Sequence, residues 1–205
     1  MQQHTSRQDI AGENTQSCPD GKYWVRPHKR RRVSKNGKTY TENVKGYCCC
    51  YHGAYQDIAA EEHLPFDHLF FVLTLYGEAR GENAASRQAI AWVIRNRLTK
   101  KIFGDSYRSI VLKPLQFSCW RKNDPNYKML QHPGKNGKSE YEKQSDQQAW
   151  QRCKETFREV FNAPESENPI PQVCHYFSGP PQHRYQEKFF DLPDVPHFHF
   201  VKLDK

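Results

Sequence analysis

Residues 66–76 read FDHLFFVLTLY, a helix-length run with apolar side chains on every face, and it passes directly into GEARGE at residues 77–82. A helix that is apolar all round belongs in the middle of a core rather than on its surface. The sequence therefore predicts a central buried helix, capped at its start by Asp67 and ending near Tyr76, with Glu78 two residues beyond that end. Gly77 and Gly81 permit a sharp turn or a close backbone approach there. A carboxyl group so placed loses hydration and faces the carbonyl end of the helix, and both effects favour its protonated form. That is the property required of a general acid. The same spacing also fits a helix-end ion pair with Arg80 or Arg87, and from spacing alone both readings stand.

The rest of the chain is consistent with such a core. Its 205 residues suffice for one domain and a small appendage, and the 13% aromatic content supports a packed interior despite the overall polarity. Asn83 is placed to cap a second helix through AASRQAIAWVIRNRLTKK, with Ala89, Ile90, Val93, Ile94 and Leu98 inward and Arg87, Arg95 and Lys100 outward. A third helix is expected from Ser145, with Gln148 completing a capping box and Ala149, Trp150, Cys153, Phe157, Val160 and Phe161 on one face. Residues 103–143 are rich in turn formers, and the C-terminal HFHFVKL alternates like a strand. The fold class predicted is α+β, mainly α.

The net charge of +8 is concentrated in residues 20–46, where nine Lys and Arg face two acids, a balance of +7; the other 22 basic and 21 acidic residues nearly cancel. Within that segment, strand-like runs flank Asn36-Gly37, the dipeptide favoured in a two-residue type I′ hairpin. Residues 1–17 read as a flexible tail, 18–60 as a basic β-hairpin appendage and 61–205 as the main domain. With Tyr23, Trp24, Tyr40 and Tyr47, the hairpin fits nucleic acid or an anionic wall polymer, and equally a solvated face. No apolar run reaches the roughly 20 residues of a membrane span, and no signal peptide opens the sequence. The seven cysteines cannot all pair within one chain. Cys48, Cys49 and Cys50 with His52 suggest either zinc or a strand bonded to distant cysteines in an oxidising compartment.

The stretch YGEARGE, followed by Gln88-Ala89-Ile90-Ala91 and Asn96-Arg97, resembles the SleB-type cell wall hydrolases. Gln116-Phe117-Ser118, His175-Tyr176, and His197-Phe198 or His199-Phe200 are similar to the family's later motifs, so the likeness spans about residues 66–201. Arg87 stands where glycine is usual, the 121–143 loop is longer, and Cys119-Trp120 follow the QFS. The resemblance implies a domain like the lytic transglycosylases and goose-type lysozyme, with Glu78 as the catalytic acid. Substrate-binding candidates beside it are Glu82, which shapes the site, Gln116 and Ser118, which fit bonds to sugar hydroxyls or acetamido groups and equally loop-stabilising contacts, and Tyr176, which fits stacking on a ring or a bond to Glu78 and equally core packing. It implies neither cofactor nor metal. The expected activity is cleavage of the MurNAc–GlcNAc β-1,4 bond with formation of a 1,6-anhydroMurNAc end. The expected role is that of an antibacterial effector passed without a signal peptide to a rival's periplasm by a contact-dependent secretion machine, or of a phage endolysin.

Partners that follow are peptidoglycan glycan strands, a cognate immunity protein and, through residues 20–46, a secretion-apparatus component or anionic wall polymer. Glu82 is expected to bond backbone amides of the next helix or to hold Arg80. Two enzymatic alternatives use other residues: a metal held by Cys174, His175, His183, His197 and His199, or a nucleophilic Cys119 or Cys174 beside a histidine, either giving a peptidoglycan amidase or endopeptidase. A non-enzymatic wall- or nucleic-acid-binding protein is the third.

Overall fold

In the computed structural model, residues 22–25, 28–34, 36–45, 47–50, 53–178 and 189–202 are described. The chain divides into two compact units, residues 1–56 and 57–205. In the first, β1 (Lys22–Val25) pairs antiparallel with β4 (Tyr47–Cys50), and β2 (His28–Val33) with β3 (Thr39–Val44). The hairpin is present, but its turn differs from the expected one. The Ser34 amide donates to the Lys38 carbonyl at 2.8 Å and, among the described turn residues, only Gly37, at φ +77°, is left-handed. This is a three-residue loop ending in a glycine bulge, because Asn36 stays out of the left-handed region that a type I′ turn demands of both its central residues. The side chains of Cys48–Cys50, and Cys18 and His52 altogether, lie outside the described residues.

The second unit is mainly helical with a small sheet. Helix α1 (Gly53–Glu61) leads into α2 (Phe66–Ala79), the central helix. Leu69 through Gly77 are all buried, with Ala79. Each fully buried Leu or Phe contributes about 2 kcal/mol relative to exposure, so this rod is the main apolar investment of the fold. Around it pack α3 (Ala84–Thr99), the short α4 (Tyr107–Val111) and α5 (Glu140–Asn162). Two 3-10 turns, Ser118–Trp120 and Pro125–Gln131, lie against α2 as well. Strands β5 (Val173–Phe177), β6 (Phe189–Phe190) and β7 (His199–Lys202) form an antiparallel sheet in the order β5-β7-β6, with Tyr176 opposite Phe200.

Several local expectations are corrected by partners distant in sequence. Helix α2 begins after Pro65 with no side-chain cap. Asp67 instead accepts the amides of Tyr107 and Arg108, at 3.0 and 2.8 Å, and so caps α4 across 40 residues. Helix α5 starts at Glu140 rather than near Ser145, with Ser139 and Glu142 forming the capping box. The Arg87 and Arg95 side chains are not a solvated face. Arg95 lies over the Trp92 ring and donates to the carbonyls of Val160 and Ala163, satisfying acceptors left open at the end of α5. Asn83 caps α3 as expected, accepting from the Ser86 amide at 2.8 Å. Of the face expected on the last long helix, Ala149, Trp150, Cys153, Phe157 and Val160 are buried, while Phe161 is exposed.

Replacing Asp67 by Ala strips two amides of their acceptor. Thermal unfolding is expected to show a loss of about 1–2 kcal/mol, the range for deleting a helix cap; an unchanged midpoint would contradict the assignment.

Candidate active site

Thr74, Gly77 and Glu78 lie at helical positions i, i+3 and i+4, so they form one strip along α2, and the turn Ser118–Trp120 is docked on that strip. The Trp120 indole N–H donates to Thr74 Oγ1 at 3.0 Å, and its ring stacks on Phe70 at 5.5 Å. Thr74 in turn donates to the Phe70 carbonyl at 2.7 Å. One residue back, Cys119 presses on Gly77 so closely that a Cβ added there would sit 2.5 Å from that of Cys119. A glycine is needed for contact, not for turning: the helix runs on to Ala79, so Glu78 lies in its last turn rather than beyond it.

The Glu78 carboxylate, part-buried, collects the donors this docking provides. Oε1 accepts the Cys119 amide at 2.9 Å and lies 3.4 Å from the Ser118 hydroxyl; Oε2 accepts the Tyr176 hydroxyl at 3.2 Å. Neither Arg80 nor Arg87 pairs with it. Arg80 donates to Asn126 Oδ1 at 2.7 Å and lies over the Tyr76 ring, while Arg87 donates to the Glu82 carbonyl. Tyr176 comes from β5, its ring 5.4 Å from Phe198 and 6.3 Å from Phe117. Burial, with the Glu78 charge next, holds its hydroxyl well above the usual tyrosine range, so it remains a proton-bearing donor.

Behind this pair sits Arg97, only 2% exposed. Its Nε donates to the Cys174 carbonyl at 2.7 Å, its guanidinium lies 4.6 Å from the Phe117 centroid, and its buried Nη1 has no hydrogen-bond partner among the described residues. Burial lowers its proton affinity, and the neighbouring Tyr176, Cys174 and Glu78 oppose that shift. Asn96 clips the same region together, donating to the carbonyls of Ile170 and Val173 at 2.8 Å.

Of the expected site residues, Glu78, Ser118 and Tyr176 meet. Gln116 does not join them by any hydrogen bond; its amide bonds the Lys113 carbonyl, and the preceding Leu115 is exposed with φ +68°. Glu82 neither binds amides of α3 nor holds Arg80: its carboxylate meets His197 Nδ1 at 2.8 Å, because the chain turns after Ala79 and carries Glu82 toward the β7 approach. The Cys119 amide, Trp120, Arg97 and His197 enter the site without having been expected there. The signals in the sequence for Arg97 and His197 are the Asn96-Arg97 and His197-Phe198 pairs of the family motifs.

The alternatives built on sulfur and metal find little footing. Burial, then the Glu78 charge, pushes the Cys119 thiol well up, and burial also raises Cys174, so neither favours the thiolate a nucleophile needs. Both, with Cys153, are buried free thiols. His175 is driven down to about 4, mainly by burial and then by Arg97. Of the metal set, His183 lies outside the described residues; His199 meets Asp191 at 2.6 Å, and among the described residues no three His, Cys, Asp or Glu converge on a metal-sized site.

On the other side of the end of α2 lies a groove of about 590 Å³ lined by Arg80, Glu82, Asn136, Tyr141, Asp146 and Arg152, among others. Its floor is a polar cluster in which Tyr76 donates to Asp146, and Asn136 donates to Tyr76 at 2.9 Å and to Asp146 through its backbone amide at 2.9 Å.

Residues 81–191 match the family model described as Cell Wall Hydrolase. The match includes Glu82, Gln116, Ser118 and Tyr176 and begins three residues after Glu78. No curated protein and no solved structure matches the chain.

Replacing Gly77 by Ala tests the docking. An ordinary helical glycine gains up to about 1 kcal/mol from alanine, whereas here overpacking against Cys119 is expected to cost about 1–3 kcal/mol in denaturant unfolding. A stabilised variant would contradict the contact.

Proposed function

From the premise that the chain belongs to the cell wall hydrolase family and degrades peptidoglycan, we propose that Glu78 cleaves the MurNAc–GlcNAc β-1,4 bond as a lytic transglycosylase. The observation that carries this reading is a part-buried carboxylate at the end of a buried helix, held by Tyr176, the Cys119 amide and Ser118 and, among the described residues, by no second acid. Of the described acids at this end, Glu82 engages His197, and Asp146 engages Tyr76 and Asn136.

In the protonated form, Glu78 donates its proton to the bridging oxygen as the bond from the muramoyl C1 breaks, and the sugar takes on oxocarbenium character. The resulting carboxylate then removes the proton of the same sugar's C6 hydroxyl, and O6 bonds to C1. The proton returns to Glu78, the products together have the mass of the substrate, and water takes no part. A water-using glycosidase would need its second carboxylate at a defined separation from the first. Tyr176 is the positioning residue: holding Oε2, it fixes the carboxyl plane and shares the negative charge once the proton has left. The buried Arg97 adds a fixed positive charge to the same end of the site. We assign Ser118, Glu82 and Gln116 to contacts with sugar hydroxyls or acetamido groups.

Glu78→Gln is expected to lower the rate of clearing of purified murein by at least about 100-fold, the scale of a general-acid contribution. Tyr176→Phe should cost about tenfold, as for a hydrogen bond to a charged group. Clearing that survives Glu78→Gln would rule this chemistry out.

For the setting, we infer delivery to the wall of another bacterium, with a cognate immunity protein covering the cleft. Periplasm-directed expression should then lyse cells and cytoplasmic expression should not, as read by culture density; equal effects would contradict it.

A further inference from the structure

The groove behind the end of α2 is lined by three acids and two arginines, and of these five charged side chains one has no partner among the described residues. Its three acids are each satisfied internally: Glu82 by His197, Glu142 by the amides of Lys138 and Ser139, and Asp146 by Tyr76 and Asn136. Arg80 spends one nitrogen on Asn126 and rests on the Tyr76 ring. Arg152, on the same wall, makes no hydrogen bond or ion pair to any described residue. Tyr141 also lines the groove and is 81% exposed. The free recognition groups are therefore a guanidinium with five unspent donors and an open aromatic face, an arrangement suited to a carboxylate on a partly apolar chain.

We propose that this groove binds the acidic peptide stem carried by the muramoyl sugar, with Arg152 pairing to a stem carboxylate and Tyr141 covering the adjacent aliphatic part. The inference rests on the glycan-cleaving reading of Glu78, since it takes the stem's sugar to be held there. The geometry supports the connection. Tyr76 and Arg80 line or underlie the groove while Glu78, two residues from each, turns toward β5, so the two sites lie on opposite flanks of one helix end. A helix with its side chains is about 10 Å across, and a four-residue stem extends to about 13 Å. A stem leaving a sugar at Glu78 would take its course past the end of α2, by way of Glu82, toward Arg152. A volume of about 590 Å³ falls within the range of small-ligand sites and suits a short peptide.

The test compares full-length protein on glycan strands bearing stems with the same strands stripped of them, and measures binding of a soluble muramoyl tetrapeptide by calorimetry. The wild type is expected to prefer stem-bearing strands in kcat/KM, with the difference residing mainly in KM. Arg152→Glu should reduce that preference about tenfold, the scale of one charge-assisted pair, and weaken tetrapeptide binding in parallel; Arg152→Lys should restore part of both. A preference and an affinity that are both indifferent to Arg152 would overturn the inference while leaving Glu78 chemistry intact. Arg152-dependent tetrapeptide binding by a protein that cleaves neither strand would uphold the groove and overturn the cleavage reading. Neither cleavage nor binding would overturn both.

Discussion

The docking of a three-residue turn onto one strip of a buried helix governs the rest of the site. Thr74 takes the Trp120 indole, Gly77 takes the bulk of Cys119, and Glu78 takes the Cys119 amide. Each contact uses a different side-chain property at consecutive positions of one face. The core reason for the all-apolar helix is now visible: with every other face of α2 packed, Thr74 and Glu78 are the polar groups through which it engages a loop. A shift of the turn by one residue would put a side chain where the Gly77 gap must be.

Three arginines of this domain are spent on backbone oxygens. Arg87, Arg95 and Arg97 donate to the carbonyls of Glu82, Val160, Ala163 and Cys174, fixing the ends of α2, α5 and β5 relative to α3. These ends carry the catalytic candidates. Arg97 does the most in this respect, since its guanidinium also lies against Phe117, whose neighbour Ser118 faces Glu78. Removing it would leave both a cavity and an unbonded Cys174 carbonyl, a costly combination in a buried setting. Arg152, by contrast, is left without a protein partner among the described residues.

What sequence reading reached, and where it stopped, follows contact range. The burial of α2, the stripe and Asn83 cap of α3, and the placing of an acid at the end of a greasy helix are all periodic or local features, and each could be read directly. Asp67 was assigned to the nearest helix because capping rules are local, yet its partners are the amides 40 residues on. The start of α5 was ambiguous for a simpler reason: Ser139 with Glu142 and Ser145 with Gln148 both satisfy the capping box. In the structure Ser139 and Glu142 form the box, and the helix starts at Glu140. Tyr176 was suggested by resemblance alone, since nothing local marks a residue 98 positions from its acceptor. Glu82 was misjudged because its partner, His197, lies 115 residues away. The arginines were read as solvent-facing since periodicity sees polarity and not the carbonyls at a neighbouring helix end.

A single carboxylate serving in turn as acid and base is the centre of the proposed chemistry, and the fate of water reports on it directly. Murein digested in ¹⁸O-enriched water and analysed by mass spectrometry distinguishes the outcomes at each new muramoyl end. Ring closure by the C6 hydroxyl requires ends one water lighter than a hydrolysed sugar and free of the heavy isotope. Reducing ends carrying ¹⁸O would mean that water attacks C1, that a second catalytic group activates it, and that Glu78 does not act alone.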